Sequence, residues 1–136
     1  MGLREYFEQA RGVGVLSTAD AAGKVNAAIY ARPHFLGDDD QEIAFIMNDL
    51  LSHDNVAANP HAAYLFIEAG EGYAGKRLFL TMTREETDRD KIQAIRRRNL
   101  PADCDEGGTP TKFLVYFRVD GVRPLIGGGD ADSSSS

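Results

Sequence analysis

Residues 42–60, EIAFIMNDLLSHDNVAANP, constrain this chain more than any other stretch. The run Ile43-Ala44-Phe45-Ile46-Met47 is short, unbroken, apolar and rich in strand-forming side chains. It predicts a strand covered on both faces, in a sheet core or a small barrel. Asn48 and Asp49 break the run. Ser52 then reads as a helix N-cap, its hydroxyl accepting from first-turn N–H groups, in a helix over 52–59. Pro60 ends that helix, because the residue before a proline is pushed out of helical geometry. A strand end feeding a helix N-terminus brings unpaired N–H groups and the positive end of a dipole to one place, which suits an anion. A flat heterocycle carrying a phosphate fits such a pair, ring along the strand end and phosphate at the helix start. A plain strand–helix connection with no ligand accounts for the same residues equally well.

The chain has 136 residues, enough for one domain and too few for two well-filled cores. The domain is read over 1–126. Residues 127–136, GGGDADSSSS, offer no apolar side chain to pack and are read as a flexible tail. The formal net charge of −6 argues against nucleic acid or an anionic membrane as the main partner, since both select basic surfaces. The single cysteine, Cys104, can form neither an internal disulfide nor a thiolate metal site. MGLREYFEQA has no apolar core of a signal peptide, and no apolar run approaches the roughly 20 residues that cross a bilayer. The expectation is a soluble, cytoplasmic protein.

Taken in order, Leu3, Tyr6, Phe7 and Ala10 fall at helical spacing and predict a short amphipathic helix. VGVLST (13–18) reads as a first strand and KVNAAIYARPHFL (24–36) as a second, with a tight turn at Gly23. Pro33 donates no ladder hydrogen bond, so the end of the second strand is expected at an edge or a bulge. Gly37 to Asp40 reads as a solvated turn; it lacks the spaced ligands of a calcium loop. HAAYLFIE (61–68) and KRLFLTMT (76–83) read as strands either side of a glycine-rich loop. Thr83-Arg84-Glu85-Glu86 reads as a capping box opening a helix to about Asn99, with Arg96-Arg97-Arg98 at the end where the dipole favours cations. KFLVYFRVDGVR (112–123) is the last strand. Six strands without βαβ alternation predict a mainly β fold, a six-stranded antiparallel barrel with short helices.

This order of pieces resembles the pyridoxamine 5′-phosphate oxidase-like FMN-binding split barrels. The residues that carry the resemblance are Leu16-Ser17-Thr18, Asn26 and Arg32 on the second strand, Phe45 to Asn48, Ser52 near Asn55, Asn59-Pro60, and Leu78-Phe79-Leu80-Thr81 after the glycine-rich loop. It spans about Leu3 to Val119 and looks closest to the small FMN-binding protein type. No single motif is specific; the ordered set is. The resemblance implies a split β-barrel homodimer with FMN in a groove between subunits. Asn26, Ala28, Ile29 and Tyr30 would then lie under the isoalloxazine ring. Phe45, Ile46, Met47 and Asn48 would present backbone groups to its polar edge. Ser52 and His53 would meet the phosphate, with Arg32 as a candidate third group, and Lys76 and Arg77 of the other subunit would close the groove. Many relatives carry Lys or Arg in the phosphate segment; here, in Leu50 to Asp54, His53 is the only potential cation. The carboxy-terminal Arg and Trp features of true pyridoxamine phosphate oxidases are missing, and the chain has no Trp.

Each residue also has a plainer reading. Asn26 suits a satisfied strand position, Arg32 a rim charge and His53 a surface histidine. The aromatics suit a barrel core or dimer surface. His34 and His61 have no partner at metal-ligand spacing, and no nucleophile–His–acid set can be assembled. The sequence therefore points to a flavin-dependent oxidoreductase or electron carrier without an assigned catalytic residue. The alternative is a non-catalytic binding module using the same barrel for a deazaflavin, a haem or another ligand. The low cation content around Ser52 favours the alternative.

Overall fold

The computed structural model describes residues 2–47, 50–99 and 113–127, with the side chains of 96–99 excepted. Asn48, Cys104 and the tail from 128 onward lie outside the described residues, as do the side chains of the Arg96–Arg98 run. The elements are α1 (Leu3–Gln9), β1 (Gly12–Ala19), β2 (Val25–Tyr30), β3 (Glu42–Met47), α2 (Leu50–Ala58), β4 (His61–Glu68), β5 (Gly75–Glu86), α3 (Arg89–Asn99) and β6 (Phe113–Pro124).

The six strands form one antiparallel sheet in the order β2-β1-β4-β5-β6-β3. It curls into a half-barrel whose two edges are β2 and β3. Just past β2, a two-bond bridge between His34 and Ala44 ties the two edge regions together. The core fills the inside of the curl. Leu16, Phe45, Met47, Tyr64, Phe66, Leu78, Leu80, Val115 and Phe117 are all buried there, and Phe7 of α1 is buried with them. Alternation along β4 and β5 sends Tyr64, Phe66, Leu78 and Leu80 inward, as strand geometry requires.

β3 and β6 depart from simple alternation, because α3 covers their outer face. Ile92 and Ile95 pack on Ala44, Leu114 and Tyr116. Residues 114–117 are therefore all buried, as are 43–45. The strand covered on both faces, expected from the unbroken apolar run, is found.

One contact fixes the middle of the barrel. The Tyr64 hydroxyl donates to the carbonyl of Ala31 at 3.0 Å and lies 3.4 Å from that of Tyr30. Burial pushes that phenol's pKa upward, so it remains a donor. It reaches those carbonyls across Gly14, where a Cβ would stand 1.9 Å from the Tyr64 oxygen.

Two boundaries differ from the sequence reading. β2 ends at Tyr30, well short of Leu36, because Pro33 can donate nothing to a ladder. The structure also has strand where a capping box was expected. Arg84, Glu85 and Glu86 pair with Tyr116, Val115 and Leu114 after a register shift between Met82 and Arg84. The side chains explain why weak strand formers extend β5. Arg84 lies 3.7 Å over the Tyr116 ring and pairs with Glu42, while Glu86 pairs with Lys91. The cap of α3 is instead Asp88, whose Oδ1 accepts from the Lys91 N–H at 3.2 Å.

The sheet face away from the core carries an apolar strip. Register sets Val15 beside both Ile29 and Leu65, Val13 beside Ile67, and Ala63 beside Phe79. Ile29 is 71% exposed and Phe79 38%.

Candidate functional site

The split between β2 and β3, with α2 beside it, is where Asn26, Ile46 and Ser52 of the expected site residues fall. Which backbone groups face the split follows from the hydrogen bonds at each edge. In β3, Ala44 exchanges both backbone bonds with His34 at 2.9 Å, while the Gln41 carbonyl accepts from Val119 of β6 at 2.7 Å. Antiparallel ladders alternate. Odd positions of β3 therefore bond β6, and Ala44 and Ile46 turn their N–H and C=O to the free edge. Of Phe45, Ile46 and Met47, only Ile46 offers its backbone to the split. Phe45 and Met47 send buried side chains into the core.

The same logic applies to β2. Asp20 donates to the Lys24 carbonyl at 3.0 Å, so Lys24 and, by alternation, Asn26, Ala28 and Tyr30 bond β1. Val25, Ala27 and Ile29 then turn their backbone groups to the free edge. The side chains divide the other way. Asn26, Ala28 and Tyr30 point inward, while Ile29 points outward from the opposite face. These four residues thus do not form one platform. Three share the inner face, and Ile29 contributes its backbone.

α2 packs against β1, β2 and β3. A polar seam docks it. Asn26 Nδ2 donates to Ser52 Oγ at 3.4 Å, Asn55 Nδ2 donates to Thr18 Oγ1 at 3.0 Å, and Asn59 Nδ2 donates to the Asp20 carbonyl at 3.4 Å. Ser52, Asn55 and Thr18 are buried. Burial of such groups is tolerated because each has a partner. Ser52 is consequently not an N-cap. The helix begins at Leu50, and Ser52 is its third residue, with no exposed surface. Its hydroxyl holds Asn26 and positions the helix start; it does not open onto solvent. Thr18 and Asn55 stood in the sequence only as marks of the resemblance, with no role assigned to either. The available signal was the spacing of Ser52, Asn55 and Asn59, three polar residues along one helical face that ought to be apolar if it packed on a sheet.

The expected cations are engaged elsewhere. His53 stacks on Phe113 with ring centroids 3.7 Å apart, and its Nε2 lies 2.6 Å from Glu85 Oε1. Arg32 Nη1 donates to the carbonyls of Phe7 and Ala10, at 2.8 and 2.9 Å, closing the C-terminal end of α1. Tyr30 already stands about 13 Å along the strand from Asn26, so Arg32, two residues farther, does not join the Ser52 region. Lys76 sits 4.6 Å over the Tyr6 ring. Arg77 donates to the carbonyls of Pro124 and Gly127, at 2.8 and 3.3 Å. Within one chain, then, Asn26, Ile46 and Ser52 lie around the split, while Arg32, Lys76 and Arg77 lie away from it.

The residues fit the ring of a flavin better than its phosphate. Edge N–H and C=O groups on both sides of the split suit a heterocycle with alternating donors and acceptors. The first turn of α2 supplies backbone N–H groups and a dipole but, among the described residues, no lysine or arginine. No group of three or more metal-binding side chains occurs among the described residues. No helix among them is long and apolar enough to cross a membrane.

No protein-family model matches the chain. No curated protein matches it by sequence. Solved structures do match. An FMN-binding protein from Syntrophomonas wolfei superposes with a TM-score of 0.71 at 17% identity, over 90% of this chain and 83% of that one. A Listeria innocua protein provisionally named pyridoxamine 5′-phosphate oxidase gives 0.64 at 18% identity, over 90% and 94%. An F420 reductase gives 0.64 at 16%, over 87% and 94%. The chain has the fold of the pyridoxamine 5′-phosphate oxidase-like FMN-binding split barrels.

Proposed function

We propose that this split barrel holds a flavin, FMN, along the gap between β2 and β3, and serves as a flavin-dependent oxidoreductase or electron carrier. One observation carries the reading. Two free strand edges and a helix N-terminus meet at one gap, in a fold shared with a protein named for FMN binding. The flavin, when bound, supplies the redox chemistry. The chain's own residues bind and orient it. Backbone groups of Val25, Ala27, Ile29 and Ile46 face the ring edge. Ala28 and Tyr30 shape the inner wall. Ser52 and Asn26 hold α2 so that its first-turn N–H groups meet the phosphate. No side chain is assigned proton transfer.

The working unit is a homodimer. The strip of Val13, Val15, Ile29, Leu65, Ile67 and Phe79 supports this, since a contiguous apolar sheet face is a common mark of association. In the dimer, Lys76 and Arg77 of the second subunit are the cations available to the phosphate.

A second reading is favoured by the cation-poor start of α2: the same gap holds a deazaflavin, a haem or another planar ligand without relying on a phosphate. The absorption spectrum of the purified protein, followed by titration of the stripped protein with FMN and riboflavin, separates the two. A flavin spectrum and FMN binding at least as tight as riboflavin support the first reading. A haem band, or no affinity for either flavin, overturns it.

A further inference from the structure

A second concavity lies away from the split. It has a volume of about 330 Å³ and is lined by Arg4, Phe7 and Glu8 of α1 and by residues 32–36. That volume is at the small end of ligand pockets. Phe7 and Pro33 form buried apolar wall, and the Phe7 and Phe35 rings stand 6.3 Å apart at 30°.

The two arginines at this cavity differ. Arg4 is committed: it donates to the carbonyls of Phe35 and Gly37, and its Nε lies 3.5 Å from Asp40. Arg32 is half-buried, and both its hydrogen bonds leave from Nη1 and end on neutral carbonyls. Among the described residues no carboxylate pairs with it. Its Nε and Nη2 make no bond among the described residues and are open to solvent, so both donors are free to meet an anion.

We propose that this cavity binds a small organic monocarboxylate, with the Arg32 Nε and Nη2 donors forming a two-bond fork to it. The planar guanidinium matches a carboxylate in geometry. The lining is mainly polar, and Phe35 and Leu36, both partly exposed, meet the ligand's small apolar part. Glu8, exposed at the rim, opposes a second negative charge, which disfavours phosphate.

The test is a backbone-amide NMR titration of the purified full chain with sodium benzoate, neutral benzamide and inorganic phosphate. Benzoate is expected to shift the amides of Phe7, Arg32, His34 and Phe35, and to bind more tightly than either other probe. Arg32→Gln should weaken benzoate about tenfold or more. Because Arg32 also closes α1, that variant could unfold. Glu8→Gln, which removes an exposed charge, provides the second readout and should tighten benzoate about threefold. Benzamide or phosphate binding as well as benzoate, shifts confined to other residues, or no response to Glu8→Gln would each overturn the proposal.

Discussion

At the scale of single residues, the fold depends on a few buried polar contacts and one close approach. Gly14 makes room for the Tyr64 hydroxyl. The contacted atoms belong to a fully buried side chain that has nowhere to retreat. Gly14→Ala should therefore destabilise the protein by about 1–3 kcal/mol, or more if the Ala31 bond is lost, as read by thermal or urea unfolding. The buried Asn55–Thr18 pair gives a sharper test. Asn55→Ala strands the Thr18 hydroxyl and should cost about 1–3 kcal/mol. Thr18→Val removes the partner, so the double variant should lose less than the sum of the two single ones. Strict additivity would show that the bond contributes nothing. Ser52 changes meaning between sequence and structure. As a cap facing a phosphate, Ser52→Ala would weaken FMN and spare riboflavin. As a buried positioning group, it should lower the melting temperature and weaken both flavins to a similar degree. Fluorescence titration of both ligands discriminates.

At the scale of elements, the strands were legible and the boundaries less so. β1, β3, β4 and β6 follow from β-prone apolar runs bounded by turn residues. The end of β5 was not legible, because Thr83-Arg84-Glu85-Glu86 carries a helix-start pattern and its strand partners, Leu114 to Tyr116, are distant in sequence. Tertiary contacts overrode local propensity there. The docking of α2 by an Asn-and-Ser seam was hidden for the same reason: its partners, Thr18, Asp20 and Asn26, are distant in sequence. The docking of α3 carries a pH prediction. The Lys91 hydrogen bond holds the Glu86 carboxyl below its ordinary value of 4.5. A depressed carboxyl contributes stability that is present above its unfolded value and is lost as pH falls through the folded one. Wild type should thus exceed Glu86→Gln in stability above the ordinary carboxyl value of 4.5, and the gap should shrink as pH falls below it. Unfolding curves of both proteins across that range check it. A gap independent of pH would remove Glu86 from the account of α3 docking.

At the scale of the whole molecule, the chain is a curled sheet with two unlike surfaces: a split with free backbone edges, and an apolar outer strip. The family-like order of pieces made the barrel legible. Where the candidate site residues lie relative to one another was not legible, since β-strand alternation puts Ile29 on the outer face and strand length carries Arg32 beyond the Ser52 region. The outer strip predicts a two-fold dimer burying over about 2,000 Å². Ile29→Glu should convert it to monomer in light scattering, whereas a wild type already monomeric at micromolar concentration would contradict the assembly. The central claim is the location of the flavin, and an FMN titration of the stripped protein, followed residue by residue in backbone-amide NMR spectra, tests it most directly. The account predicts the largest shifts at Val25, Ala27, Ile29 and Ile46 and in the first turn of α2. Shifts confined to the cavity between α1 and residues 32–36, or no shifts at all, would contradict it.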